Sequence, residues 1–374
     1  MKRLLSTLLA ASALMLGAAN IADARELRIA PGAPPAHPSN SHLYQKMVEY
    51  LPEESDGRLT AKVLGPEVVG LGQMKDALQT QIAEVGNLLP LYFPADLPMM
   101  AVTGQLSLIG TNSQAMGAAV TEFIVNCAPC QEEMKKLGFV FLGSGASDVY
   151  EFMTTKPVRT AEDLKGLRLR SGGAPWARLA EHFGAAPAQI SVLDQFEAIN
   201  SGTIDGTMAS VADMLSFRLV EVVKYVTPAP LGLYHSTSNF TVAKPTWDSL
   251  SAEDRAAMVR AANRANADFT NRWGRDMPEE AEAAAREAGI EFIEADPSLI
   301  QAIEDFVQAD IKTAGEFSRE QFGISDAPEQ IQQFLGLVEK WQAIAAEVDS
   351  DPEAMAERVY EEVWSKVDVS TYGG

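Results

Sequence analysis

The sequence predicts an α/β protein with sheets covered by helices. Three observations point there. Strand-like and helix-like stretches alternate from Glu26 to Ala243. Turn signals such as Pro31-Gly32 and Gly65-Pro66 punctuate them. From Ser251 onward, apolar stripes at spacings of three and four replace that alternation. With 374 residues and 47% apolar content, the chain can bury a core in two domains or lobes.

Taken in order, Glu26–Ala30 alternates polar and apolar residues and reads as an opening strand, followed by a Pro-rich loop. Ser41–Leu51 carries Leu43, Met47, Val48 and Leu51 on one helical face. Arg58–Leu64 is a second strand, Gln73–Ala83 a helix and Val85–Leu91 a buried strand. Met116–Val125 is helical in pattern. Phe139–Gly143, Val149–Thr154 and Leu167–Arg170 read as strands, Trp176–Phe183 and Leu193–Ser201 as helices, and Ser238–Ala243 as a strand. Ser251 with Asp254 three residues later marks a capped helix start. Met258, Ala262, Ala265, Phe269, Trp273 and Met277 then form one packing face. Asp296-Pro297 opens another helix, and Ile331, Leu335, Val338, Trp341 and Val348 mark a further stripe.

Composition excludes several functions. With 51 acidic against 30 basic side chains, the net charge of −21 argues against nucleic acid as a partner, because phosphate binding needs clustered cations. Two Cys alone cannot make a complete structural zinc site, which takes four ligands, 4 His leave little room for a metal cluster, and no cofactor is expected. No Gly-x-Ser-x-Gly elbow, metal-spaced His cluster or phosphate loop is present, so an enzyme is not expected. Residues 1–24 read as a cleaved signal peptide: Lys2 and Arg3, an apolar run from Leu4 to Ala19, then Ala22-Asp23-Ala24. The mature chain is expected in the periplasm. Cys127-Ala128-Pro129-Cys130 has the spacing of a redox motif, but an oxidising compartment favours a local disulfide between Cys127 and Cys130.

Around Asp163-Leu164-Lys165-Gly166-Leu167-Arg168-Leu169-Arg170, a helical turn breaks at Gly and a strand runs into the loop Ser171-Gly172-Gly173. Either Arg could hold a carboxylate bidentately, or serve only as a surface salt-bridge partner. This stretch, with Thr155-Lys156-Pro157-Val158 before it, resembles the signature of DctP-type periplasmic solute-binding proteins of TRAP (tripartite ATP-independent periplasmic) transporters. Gly70-Leu71-Gly72-Gln73, the Gly-x-x-Asp-Gly segment Gly202–Gly206, Glu221–Thr227 and Trp247-Asp248-Ser249-Leu250 agree with it, so the resemblance spans the mature chain.

The resemblance implies a two-lobe, type II-like binding protein with hinge strands, a long helix crossing both lobes and long C-terminal helices. Residues 25–150 plus about 238–278 are expected in lobe I, and 151–237 plus about 279–374 in lobe II. Arg170 matches the family's carboxylate-binding Arg, while Arg168 stays peripheral. One departure stands out. Many members carry a second ligand-side Arg just before the Thr-x-Lys-Pro segment, where this chain has Tyr150 and Glu151. That favours a monocarboxylate, such as an aromatic, hydroxy or keto acid, over a ligand needing two Arg. Tyr92, Phe93, Tyr150, Trp176 and Tyr234 are candidate walls, though each would serve equally as core packing. Other candidate lining residues are His37, Asn87, Glu151, Ser210, Asp213 and His235, all near strand ends.

The expected function is therefore capture of a small organic anion and its delivery to the membrane subunits of a TRAP transporter. Membrane association would be transient, through the permease alone. A ligand-binding protein of a sensor system is the alternative; an exported thiol oxidoreductase using Cys127 and Cys130 is a weaker one.

Overall fold

The computed structural model describes residues 24–374. The signal-peptide expectation for residues 1–24 lies, apart from Ala24, outside the described residues. Strands β1 (Arg25–Ala30), β2 (Leu59–Val63), β3 (Val85–Leu88), β4 (Phe139–Phe141), β5 (Tyr150–Thr154), β6 (Arg168–Arg170), β7 (Ala186–Ala188), β8 (Gly206–Ser210), β9 (Tyr225–Thr227), β10 (Ser238–Ala243) and β11 (Glu291–Phe292) follow one another along the chain. They form two sheets, ordered β2-β1-β3-β10-β4 and β11-β9-β5-β8-β6-β7.

Local chemistry explains the elements. In β1, Leu27 and Ile29 turn into the core while Glu26 and Arg28 face solvent, as a two-residue period requires. β1 runs parallel to both β2 and β3, and β10 lies antiparallel between β3 and β4. Every residue of β10 is buried. In the second sheet, β5 is antiparallel to β8 and β9, while β6 runs parallel to β7 and β8. β3 stops at Leu88, earlier than its apolar run suggests, because Pro90 opens a short 3-10 turn to Tyr92.

The Gly-x-x-Asp-Gly segment is a structural joint. Gly202 takes the left-handed conformation, at φ +69°, that ends the helix Gln195–Asn200. The Asp205 carboxylate accepts the Arg168 backbone N–H at 3.0 Å, its Nε at 2.9 Å and Lys156 Nζ at 3.0 Å. Arg168, ahead of the other partners, holds the Asp205 carboxyl well below the usual carboxylate range. A Cβ on Gly206 would come within 2.4 Å of the Met153 carbonyl, so β8 can approach β5 only through glycine.

The chain passes between the sheets more than once. The segments joining β4 to β5 and β9 to β10 are hydrogen-bonded to each other: Tyr150 N donates to the Gly232 carbonyl at 2.7 Å and Ser147 N to the Tyr234 carbonyl at 3.0 Å. Val149 also bridges to Leu233. A third passage is helical. The helix Ala252–Asn271, capped by Ser251 as expected, packs on the helix Gln45–Glu54 beside the first sheet. After a wide turn at Arg272–Asp276, the helix Met277–Glu287 reaches the short helix Asp213–Ser216 beside the second.

Beyond it, the Asp296-capped helix Pro297–Phe322 leads to the helix Ala327–Glu347. The sequence grouped residues 279–374 with the second lobe. The segment from Ala327 instead packs on the helix Ser113–Asn126, with Phe334 edge-on to Phe123 at 5.7 Å, and Tyr372 Oη donates to the Phe141 carbonyl. Its apolar stripe buries Ile331, Phe334, Val338 and Trp341 on the first-sheet side. Cys127 and Cys130 form a disulfide, with Cα atoms 5.2 Å apart, where the helix Ser113–Asn126 ends and Ala128–Leu137 begins.

Candidate functional site

A cavity with about 480 Å³ of space between atoms, part of it open to solvent, lies where the two sheets face each other. The loop after β1 supplies His37, β3 supplies Asn87, and the 3-10 turn supplies Tyr92. From the other side come Tyr150 of β5, Arg170 of β6 and Asp213 just beyond β8. Tyr234 and Thr237 reach it from the second connecting segment. Seven sequence-nominated residues thus meet in one cavity: His37, Asn87, Tyr92, Tyr150, Arg170, Asp213 and Tyr234.

Arg170 is the positive centre. Its side chain is buried, and burial alone would disfavour its charge; Tyr92, Tyr150, Asp213 and Tyr234 more than offset that, so the guanidinium stays charged. Nε donates to the Ile190 carbonyl at 3.2 Å and Nη2 to Tyr92 Oη at 3.4 Å, while Nη1 has no partner. A buried cationic donor left without an acceptor is costly, and a ligand carboxylate would relieve it. Tyr92 Oη also accepts from Val192 N at 3.1 Å, so this one hydroxyl ties the first-sheet side to the β6–β7 side.

Asp213 is the negative centre. Burial pushes its carboxyl up to about 7, against a hydrogen bond from Gln195 and the charge of Arg170. Gln195 Nε2 donates to Asp213 Oδ2 at 3.2 Å, and Thr207 Oγ1 donates to Gln195 Oε1 at 3.1 Å. That chain fixes which way the amide faces.

Aromatic rings make the walls. Tyr150, Trp176 and Tyr234 form a stack, with centroids 4.7 Å apart for Tyr150–Trp176 and 5.9 Å for Trp176–Tyr234. Opposite them, His37 meets Phe217 at 5.3 Å and Trp273 at 5.4 Å. His37 Nδ1 accepts the Ser39 N–H at 3.0 Å, which places the ring proton on Nε2. Burial lowers its pKa to about 3, so the ring is neutral. Tyr234 Oη, Asn87 Oδ1 and Trp273 Nε1 are buried and unpartnered around the same space.

Five nominated residues lie elsewhere. Trp176 backs the wall instead of lining it: it stacks behind Tyr150 and donates Nε1 to the Leu231 carbonyl at 2.9 Å. Ser210 accepts the Ala212 N–H and serves the backbone turn before Asp213. Glu151 follows Tyr150 along β5 and so points to the opposite face, toward Glu282 and Arg286. Burial, then Glu282, raises its carboxyl to about 7. His235 likewise points away from Tyr234, donating Nε2 to the Thr103 carbonyl at 2.9 Å and lying 5.8 Å from the Phe334 ring. Burial lowers its pKa to about 4. Phe93 sits beneath Lys75 Nζ, outside the cavity.

Sequence reasoning passed over Phe217, Phe269, Trp273 and Thr237, which also line the space. Phe269 and Trp273 fell in a stripe that reads as packing. The wide turn at Arg272–Asp276 carries Trp273 to the cavity, and no sequence signal marked that turn. Among the described residues no group of three or more His, Cys, Asp or Glu side chains is arranged to hold a metal. No helix among them is long and apolar enough to cross a membrane.

Comparison with known proteins gives one consistent answer. Residues 29–317 match the family DctP, described as bacterial extracellular solute-binding protein, family 7. A solute-binding protein of Albidiferax ferrireducens is 30% identical over 105 residues, 28% of this chain and 31% of that protein. The chain thus spans about a third of that relative's length. Among solved structures, a TRAP periplasmic solute-binding protein from Bordetella bronchiseptica with bound mandelate superposes with TM-score 0.73 at 23% identity, covering 84% of this chain and 99% of that one. A TRAP solute-binding protein from Rhodoferax ferrireducens with copurified benzoate gives TM-score 0.76 at 19% identity, covering 86% and 99%. Their likeness to this chain is one of fold.

Proposed function

The chain belongs to the DctP family of bacterial extracellular solute-binding proteins, and we propose that it captures a small monocarboxylate with an aromatic or apolar body in the periplasm and delivers it to the membrane subunits of a TRAP transporter. One observation carries this reading: the buried guanidinium of Arg170 keeps Nη1 unpartnered in a cavity walled by aromatic rings. A carboxylate completes the donor set of Arg170, and the rings take up the body of the acid. The space suits a compact acid rather than an extended one. The mandelate and benzoate held by two structurally similar proteins are acids of this size and kind.

The mechanism is a clamp between the two sheets. The acid enters while they are apart, and Arg170 fixes its carboxylate. As the sheets close, Tyr92 bonds to Arg170 and Val192 across the cleft, and water is excluded from the ion pair. In the dry cavity each charge-assisted bond counts for more than it would in water. The closed form is what docks on the permease.

Thermal-shift screening of aromatic, aliphatic, hydroxy and keto acids beside neutral sugars tests the reading. Stabilisation by acids that is lost in Arg170→Met supports it. Stabilisation by neutral sugars alone would overturn it.

A further inference from the structure

A buried guanidinium and a buried carboxyl line this cavity and do not meet. The hydrogen bonds of Arg170 go to the Ile190 carbonyl and the Tyr92 hydroxyl. Asp213 Oδ2 is occupied by Gln195, and its Oδ1 receives no hydrogen bond from the described residues. We propose that the ligand is a carboxylic acid bearing a hydrogen-bond donor beside its carboxylate, a hydroxyl or an ammonium, and that Asp213 takes this donor while Arg170 takes the carboxylate. The inference rests on the carboxylate reading above and sharpens it.

The physical case is one of complementarity. Once ionised, a carboxyl on the wall opposes capture of a plain anion, because the charges are alike. Here the carboxyl is not incidental. Thr207 orients Gln195, and Gln195 in turn pins Asp213 Oδ2, so Oδ1 is presented in a fixed direction. A hydroxyl or ammonium beside the carboxylate donates to Asp213 while Arg170 holds the carboxylate, and so relieves both buried groups together. A ligand lacking that donor relieves Arg170 alone.

The other groups facing Asp213 do not replace the ligand in this role. Arg170 makes no salt bridge with it, and burial holds the nearby Asp148 protonated. His37 is neutral and committed to Ser39. Burial keeps the Tyr150 and Tyr234 hydroxyls protonated. Asn87 Oδ1 is a second acceptor without a donor on the cavity wall, and it suits a ligand that donates more than once.

Three acids of one shape separate the cases: phenylacetate, mandelate with an added α-hydroxyl, and 2-phenylglycine with an added α-ammonium. Each is titrated calorimetrically at pH 8 into the wild-type protein and into Asp213→Asn. In the variant the amide oxygen takes over the Gln195 bond, so the cavity meets an NH₂ donor in place of an acceptor. The expected result is that mandelate or phenylglycine binds wild type about tenfold or more tighter than phenylacetate, and that this ratio collapses in Asp213→Asn. A preference for phenylglycine identifies the donor as ammonium, and one for mandelate as hydroxyl. Because the ratio is taken within one protein, a general loss of folding does not imitate the effect. Equal binding of all three acids to wild type, or an unchanged ratio in the variant, overturns this inference and leaves the carboxylate reading standing. Failure of all three acids to bind overturns both.

Discussion

Replacing Arg170 with Met should separate binding from stability. The substitution keeps length and apolar contact but removes the charge and the donors. A bidentate carboxylate pair contributes two charge-assisted hydrogen bonds, each about 1.5–3 kcal/mol. Losing both costs about 3–6 kcal/mol, which corresponds to roughly 10²- to 10⁴-fold in Kd. The ligand-free protein should respond differently. In the wild type a buried guanidinium holds only two hydrogen bonds and leaves Nη1 unpartnered, and an apolar group of similar volume at such a site is often neutral or stabilising. Asp213 loses a nearby positive charge, and burial then keeps it protonated. The expected outcome is a large loss of affinity for any acid that binds wild type, measured by calorimetry, with an unchanged or higher Tm in the absence of ligand. Affinity within threefold of wild type would refute the anchoring role of Arg170. A sharply lower ligand-free Tm would refute the view that the empty site holds an unsatisfied charge.

Three further perturbations follow from the same geometry. Glu151→Gln should stabilise the protein at pH 8 by about 1–3 kcal/mol and change little at pH 4: the folded-state pKa of Glu151, about 7, lies above its ordinary value, so the wild type loses stability as pH rises from about 4.5 through 7, and denaturant titrations at the two pH values read this directly. Gly232→Ala should destabilise by about 3 kcal/mol or more, because φ is +69° and the new Cβ would lie 2.0 Å from the Ser107 carbonyl; an unchanged denaturation midpoint would show that the segment can move aside. Converting both Cys127 and Cys130 to Ser opens a very short loop and should cost about 2 kcal/mol, with acid binding by calorimetry unaltered, since neither residue lines the cavity.

Legibility in the sequence tracked the physical signal available. β1 and β10 could be read because polar and apolar residues alternate along both. β7, with Pro187 at its centre, and the two-residue β11 carry no periodic signal. β8 is buried on both faces, so its composition does not alternate. In the site, Arg170 stood out through the resemblance of its segment to the family signature, and the tyrosines as rings able to wall an acid. The misplacements came from chain neighbours. Tyr150 and Glu151, like Tyr234 and His235, are adjacent in extended backbone and therefore point to opposite sides. Proximity in sequence nominated both members of each pair, and the pleat admits one. Trp273 was hidden for the converse reason: its spacing fits a packing stripe, and only the turn at Arg272–Asp276 brings it to the cavity.

The placement of β10 bears on when the protein can fold. It sits between β3 and β4 in the first sheet, yet it follows all of β5 to β9 in the chain. As the polypeptide emerges from a ribosome, β3 and β4 have no strand to join them until Ala243 has been made. The first sheet therefore cannot close early: β2, β1 and β3 can pair, but β4 stays apart from them through synthesis of the whole second sheet but for β11. Long-range pairing of this kind slows folding, because a large loop must close before any contact compensates the lost entropy. A nascent chain held open in this way stays available to whatever machinery handles unfolded polypeptides until roughly its first two thirds are complete.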